Sequence, residues 1–269
     1  MNQIIQSYLD AHIKEYEIES YDQSTAFEHF INKCIINRLS TERFDPIDVM
    51  TDDGEIGLDG VAILLNGQLV TDLASCHVIY ENNRSVDVKM VFIQTKTSAS
   101  FDGGEISTFL KGVKHFFGTS DVRPKTNPKM ENLILIKDYI YAQSINQPKK
   151  PSLEMYYVCC GRWSDENNLS NNIATDVRFF ESTRDFSTVN FYPFDIDKII
   201  ITYTEMRRKI RKTFLMEKRL PFYQMPGIKV AYFGLIKCKD IVRLLTDDQG
   251  ALFKNIFEDN VRDFQGYNS

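Results

Sequence analysis

The stretch EIGLDGVAILLNGQLV (55–70) and the later stretch DVKMVFIQTKTS (87–98) decide the fold of this chain. Both are apolar and rich in β-branched residues, which predicts that they form strands of a buried sheet. Asp59 stands at the start of the first predicted strand. Gln94 and Lys96 stand near the end of the later strand, two residues apart, so their side chains are expected on one face of the sheet. Burying such polar groups without partners would cost about 1–3 kcal/mol each, so their presence there needs a reason.

Strands and helices alternate along the chain. The dipeptide Asn66-Gly67 predicts a hairpin turn between the first two strands. Strands are predicted at 58–66, 68–80, 87–96, 153–161 and 188–194, with one more strand and a helix after residue 227. Helices are predicted at 3–14, at 22–40 with Ser24 as its cap, in the segment 101–118 with Gly118 as its stop, at 130–146 and at 195–212. This order predicts an α/β or α+β domain with a central mixed sheet flanked by helices.

The composition is that of an ordinary globular protein, with 43% apolar and 26% charged residues. A formal net charge of −5 excludes a uniformly basic nucleic-acid coat and is compatible with a local basic groove. The five cysteines have no ligand-like spacing, which indicates buried free thiols in a reducing compartment. The sequence shows neither a signal-peptide pattern nor a long apolar run, so it predicts a cytoplasmic protein with no membrane partner.

The best linker candidate runs from Pro221 to Gly227. The sequence therefore predicts one large domain over residues 1–220 and the start of a second domain over 221–269. No closing element follows the last predicted helix, so we expect the second domain to be cut short.

The order of the polar residues resembles the core of PD-(D/E)XK nucleases in its Gln-x-Lys variant. In that core an acid enters a hairpin, Gln-x-Lys follows on a later strand, and the first helix commonly supplies another acid. Glu28 lies beside the apolar stripe of the helix at 22–40 and is the candidate for that acid. The alternative is an ordinary solvent-facing glutamate. The resemblance implies a restriction-endonuclease-like fold.

It also implies a site for phosphodiester hydrolysis, with Mg²⁺ or Mn²⁺ as the cofactor. Because hard divalent cations take oxygen ligands, we expect the ion to be held by Asp59, the side-chain carbonyl of Gln94, the backbone carbonyl of Thr95 and Glu28. Lys96 would orient the attacking water or stabilise the developing negative charge. Glu28, Asp59, Gln94 and Lys96 are thus the candidate catalytic residues. A neutral glutamine in place of an acid predicts weak affinity for the metal.

A basic cluster in MRRKIRKTFLMEKR (206–219) is the candidate nucleic-acid-binding surface. The side chains expected to contact phosphates are Arg207, Arg208, Lys209, Arg211 and Lys212. The alternative interpretation is a solvated helix face.

Five motifs follow one another across most of the chain: GLDGVAILLNG, VFIQTKTS, GEISTFLKGVKHFF, PGIKVAYFGLI and LFKNIFEDNVRDFQG. Together they resemble the AIPR family, the abortive-infection phage-resistance proteins. Members of that family are bacterial and are linked to defence against phage, and their N-terminal part resembles an Mrr-like restriction endonuclease. Family members continue past the last motif, so the chain is expected to be an N-terminal portion.

The sequence therefore predicts a metal-dependent endonuclease in anti-phage defence. DNA is the expected substrate, and RNA is the alternative. The main alternative is a catalytically silent module that keeps the nuclease scaffold to bind or sense nucleic acid. A protein-interaction or toxin-like effector is the third interpretation. A homodimer is a further expectation, because restriction-type nucleases often pair to cut two strands.

Overall fold

The computed structural model describes residues 1–51, 57–118, 126–164, 169–208, 213–222 and 231–246. Contacts divide the chain into two compact units, Met1–Met206 and Arg207–Ser269. The larger unit contains the central sheet and the predicted site residues, so it is described first.

A five-stranded mixed sheet forms the centre of the larger unit. Its strands are β1 (Gly60–Leu65), β2 (Gln68–Val70), β3 (Val88–Lys96), β4 (Ser152–Cys159) and β5 (Thr188–Phe194), in the spatial order β2-β1-β3-β4-β5. β1 runs antiparallel to both β2 and β3, whereas β3, β4 and β5 are parallel to one another. The predicted fold class, a mixed sheet flanked by helices, is confirmed.

Helices cover both faces of this sheet. One face is covered by α1 (Gln3–Tyr16), α2 (Gln23–Leu39) and α7 (Ile196–Met206), and the other by α3 (Leu73–Asn82), α4 (Gly103–Phe117), α5 (Pro128–Ala142) and α6 (Leu169–Thr183). β3 is buried on both sides because its side chains alternate between two cores. Met90 and Phe92 pack in the core with α3 to α6, while Val91 and Ile93 pack in the core with α1, α2 and α7.

The second predicted strand, 68–80, is wrong beyond Val70. β2 ends there, and the chain enters α3, whose cap is Asp72. The Asp72 carboxylate accepts hydrogen bonds from the backbone N–H of Ser75 at 2.8 Å and from its hydroxyl at 2.7 Å. Such a cap satisfies amides that open a helix and competes with continued strand pairing. In α2, likewise, the cap is Asp22 and not the predicted Ser24.

The smaller unit contains an antiparallel pair of strands and one helix among its described residues. The elements are β6 (Glu217–Phe222), β7 (Ala231–Leu235) and α8 (Cys238–Leu245). α7 ends at Met206, six residues before the predicted helix end at 212. β6 runs through residue 220, where the sequence analysis placed the domain boundary, and the last family motif, 252–266, lies outside the described residues.

Four of the five cysteines are buried, and all five are free thiols, as predicted. Within the described ranges, no helix combines the length and the apolar character that crossing a bilayer requires.

Two buried histidines join α1 to α2. His12 Nε2 lies 2.7 Å from His29 Nδ1, and the two side chains are 1% and 2% exposed. His29 Nε2 also lies 3.9 Å from the exposed carboxylate of Asp45. A hydrogen bond between two imidazoles needs one donor and one acceptor, so the pair is complete when both rings are neutral. Burial lowers the pKa of His29, which Asp45 partly opposes and Lys33 reinforces.

We expect acid to destabilise the fold through this pair. Because the pKa of His29 is lower in the folded chain than in the unfolded chain, the unfolded chain binds more protons below about pH 6.5. The free energy of unfolding should therefore fall as the pH drops below that value, by at most about 1.4 kcal/mol per pH unit for one proton. Urea unfolding at a series of pH values measures this slope. His29→Gln should flatten it, and an unchanged slope in that variant would assign the effect to other groups.

Candidate functional site

The pairing of β1 with β3 brings the predicted site residues together. Gly60 stands opposite Ile93, and the backbone N–H of Asp59 donates to the carbonyl of Ile93 at 2.9 Å. Asp59 therefore enters β1 at the edge of the sheet where β3 ends. Since side chains alternate along a strand, Asp59, Gln94 and the β3 residues that pack under α4 share one face.

One oxygen of the Asp59 carboxylate takes all of its hydrogen bonds. Oδ2 accepts from Gln94 Nε2 at 2.5 Å, from the Thr95 backbone N–H at 2.7 Å and from Thr95 Oγ1 at 2.9 Å. Among the described residues, none donates to Oδ1. Among the described residues, the side chain is thus fixed by three donors that all bond to Oδ2.

Burial dominates the electrostatics of Asp59. Removal from water raises the pKa of this carboxyl, because the charged form loses hydration. The two hydrogen bonds from Thr95, the charge of Lys96 and the hydrogen bond from Gln94 oppose the rise without cancelling it. A carboxylate that is costly to ionise and that lies among fixed donors is common at functional sites.

The Gln94 side chain is oriented differently from the expectation that its carbonyl oxygen would face a metal ion. Its side chain is buried, and its amide nitrogen faces the Asp59 carboxylate and lies 3.4 Å from the Thr95 carbonyl. In this orientation Gln94 holds Asp59 in place, and it does not present its oxygen beside the acid. The Thr95 carbonyl does point toward Asp59, since the N–H and C=O of one strand residue point to the same side.

Lys96 contacts an acid that sequence reasoning missed. Its Nζ lies 3.4 Å from Glu105 Oε1, on the first turn of α4. The other oxygen of Glu105 accepts a hydrogen bond from the hydroxyl of Tyr157 at 3.0 Å. The available signal was the sequence Asp102-x-x-Glu105, which resembles a capping box, but it does not indicate that Lys96 is the partner.

Glu28 lies on α2, which covers the face of the sheet opposite to α4. On α2, Asn32 donates from Nδ2 to the backbone carbonyl of Asp59 at 3.3 Å, and the far end of the helix meets the hairpin turn, where Thr41 N–H donates to the Gly67 carbonyl. Glu28 is one turn before Asn32, about 6 Å farther along the helix axis. This position places Glu28 toward the edge of the sheet where Asp59 enters β1. The residue is half-buried.

The donors at this edge fit one weakly held divalent cation. Asp59 Oδ1 and the Thr95 carbonyl are hard oxygen donors on the same side. Within the described residues, no three His, Cys, Asp or Glu side chains are grouped in a way that could hold a metal ion. Mg²⁺ is often bound by one or two carboxylates together with substrate phosphates, so this donor set suits an ion that arrives with a phosphate.

The predicted basic surface is only partly described. Arg207 and Arg208 directly follow α7 and are exposed. Lys209, Arg211 and Lys212 lie outside the described residues.

A cavity of about 350 Å³ lies between α6 and β5, away from Asp59 and Lys96. It is lined mainly by apolar side chains such as Trp163, Val177 and Phe191, and its lining includes no ionisable group. The cavity therefore offers nothing for acid–base or metal chemistry.

No protein-family model, curated protein or solved structure matches this chain.

Proposed function

We propose that this chain is a metal-dependent endonuclease that hydrolyses phosphodiester bonds in DNA, or alternatively in RNA. The observation that supports the proposal is the convergence of Asp59, Gln94, Thr95 and Lys96 at one edge of the sheet, from two strands far apart in sequence. One oxygen of the acid accepts no hydrogen bond among the described residues, and a lysine lies beside it. This combination suits the hydrolysis of a phosphodiester.

Each residue has a distinct role in the proposed reaction. Asp59 Oδ1 and the Thr95 carbonyl would hold Mg²⁺ or Mn²⁺, and Gln94 keeps the Asp59 side chain in place. Such an ion would lower the pKa of a water ligand and neutralise charge on the phosphate. Lys96 stabilises the charge that develops on the phosphoryl oxygens as the water oxygen bonds to phosphorus and the ester P–O bond breaks. The attacking water gives its proton to bulk water, and the leaving alkoxide takes a proton from bulk water. Glu28 adds negative charge from the other face of the sheet.

The proposed biological context is bacterial defence against phage. It rests on the resemblance of the sequence motifs to the AIPR family. The resemblance to restriction-type nucleases supports a homodimer, in which two sites would cut the two strands.

The test is cleavage by the purified chain. We expect plasmid DNA, and in a parallel reaction RNA, to be cut in Mg²⁺ or Mn²⁺ but not in EDTA. Lys96→Ala should lose at least about 100-fold in rate, because charge stabilisation of this kind is commonly worth 10² to 10³. A gel assay of supercoiled plasmid over time measures both the rate and the number of strands cut.

Glu131→Gln is the matched control, because it removes an exposed charge from the first turn of α5 and leaves the site intact. Equal cleavage by the wild type and Lys96→Ala would trace the activity to a contaminant or to another site. Absence of cleavage by a chain that binds nucleic acid would overturn the enzymatic proposal.

That last result would favour a catalytically silent nucleic-acid-binding module. Two observations support this second candidate: Gln94 presents its amide nitrogen beside the acid, and Lys96 is already paired with Glu105. In that case we expect Mg²⁺ not to raise the nucleic-acid affinity, and the affinity to survive substitution of Asp59.

A further inference from the structure

Lys96 lies between two acids at the end of β3. Its charge lowers the pKa of Asp59, and its Nζ lies 3.4 Å from Glu105 Oε1. The side chains of Lys96 and Glu105 are 34% and 45% exposed, so the pair is accessible from solvent. In the free chain, the cation that a phosphate would approach therefore already has a partner.

Glu105 is itself held in place from the interior. Tyr157 is fully buried, with its ring packed between Phe101 and Phe109, and its hydroxyl donates to Glu105 Oε2. Burial raises the pKa of Tyr157, so the phenol stays protonated and keeps donating. The backbone N–H of Glu105 bonds to the cap residue Asp102 at 2.9 Å. Glu105 is thus fixed at both its backbone and its carboxylate.

The N-terminus of a helix also favours this arrangement. Glu105 lies in the first turn of α4, where the unpaired backbone amides stabilise a negative charge. The carboxylate is therefore held in its orientation whether or not Lys96 remains with it. A surface ion pair of this exposure contributes little stability, so exchanging it for another anion costs little.

We propose that Glu105 is a positioning residue. Its carboxylate pairs with Lys96 as an internal counter-ion until the phosphate of a nucleic acid takes its place. This inference rests on the proposed function, since it names how the same site admits its substrate. Glu105 keeps the Lys96 side chain beside the end of β3, and it competes with other anions for the positive charge of Lys96. A phosphodiester that also engages other contacts overcomes this competition.

The binding of DNA in EDTA tests the proposal without any cleavage. The probe is a short fluorescein-labelled DNA duplex, titrated by anisotropy with wild type, Glu105→Gln, Lys96→Met and the double variant at several salt concentrations. Glu105→Gln keeps an acceptor for the Tyr157 hydroxyl but releases Lys96. We expect its affinity to rise about fivefold to tenfold, and its salt dependence to steepen by about one phosphate contact.

The decisive comparison is the same change made without Lys96. In the Lys96→Met background, Glu105→Gln should change the affinity by less than about twofold, with no change in the salt slope. Glu131→Gln makes the same change in net charge and should likewise change the affinity by less than about twofold. Tyr157→Phe, which frees one carboxylate oxygen without changing charge, should raise the affinity in the same direction and by less.

An equal gain in both backgrounds would overturn the proposal, because it would show a general charge effect independent of Lys96. Absence of binding by all four chains would overturn both the positioning role and the proposed function. If the effects of Glu105 and Lys96 on affinity are coupled but the chain does not cleave, the positioning role is supported and the proposed nuclease activity is overturned. If cleavage depends on Lys96 but the two effects are not coupled, the nuclease activity is supported and the positioning role is overturned.

Discussion

Replacing Asp59 with asparagine should abolish metal-dependent cleavage and leave the fold as stable as the wild type or more so. Cleavage should fall by at least about 100-fold, because even residues that only support a metal ligand commonly cost 10 to 100-fold. An asparagine can keep an oxygen in the position of Oδ2, where it accepts from Gln94 and Thr95. Its amide nitrogen then replaces Oδ1 and repels a cation.

The stability part follows from the direction of the pKa shift. Because burial raises the pKa of Asp59, the folded chain binds this proton more tightly than the unfolded chain. The stabilising contribution of the group is complete below the unfolded pKa and is lost as the pH rises through the folded pKa. At neutral pH the ionised Asp59 therefore costs stability, and Asp59→Asn removes that cost.

Thermal unfolding at pH values from about 4 to about 7 measures the effect. The advantage of Asp59→Asn over the wild type should grow across this range, toward about 2–4 °C in Tm, which is the effect of about 1 kcal/mol in a domain of this size. Asp59→Ala is the matched control: it leaves the buried Thr95 N–H without its acceptor, removes the closer acceptor of the Gln94 amide, and should cost about 1–3 kcal/mol. A marked loss of stability in Asp59→Asn would show that the charge itself supports the fold.

Replacing Gly161 with alanine should be the most damaging single-methyl change near the site. A Cβ at Gly161 would stand 1.8 Å from the backbone carbonyl oxygen of Ala99 and 2.5 Å from its carbonyl carbon. Both partners are backbone atoms, so no side chain can move away. The segment after β3 would have to shift as a whole, and Lys96 and Glu105 lie at its two ends.

We expect Gly161→Ala to lose about 1–3 kcal/mol or more in the free energy of unfolding, as overpacked sites do. Urea unfolding measures the loss. Gly103→Ala is the matched control, because a Cβ there would meet only the Leu169 Cδ2 methyl at 3.0 Å, at the end of a flexible side chain. Equal stability of the two variants would mean that the segment after β3 moves freely.

The sequence predicts the sheet and one half of the site well, because both depend on local pattern. Apolar, β-branched runs identify β1 and β3. The hairpin that joins β1 to β2 leaves open which of the two pairs with β3, and the structure shows that it is β1. The proximity of Asp59 to Gln94 then follows from strand pairing alone. Helix α2 follows equally from its apolar spacing. The role of Glu28 as the acid of that helix stays a prediction.

The other half of the site depends on contacts that no local pattern encodes. Glu105 reaches Lys96 only because the loop after β3 turns α4 back over the strand, and Tyr157 reaches Glu105 only through the parallel pairing of β4 with β3. The orientation of the Gln94 amide is set by the charge on Asp59. The stretch after Val70 fits strand and helix periodicity alike, and the Asp72 cap decides between them.

The position of β3 in the sheet also has a consequence for synthesis of the chain. β3 gains its first neighbour, β1, early, but its second neighbour, β4, is translated only after α4 and α5. Until then a nascent chain on the ribosome carries a nine-residue strand with an apolar centre, and one edge of this strand has unpaired backbone groups. Such an edge is a template for pairing with another chain. Fragments that stop before Ser152 should therefore aggregate, and recruitment of chaperones should peak while α4 and α5 are being made.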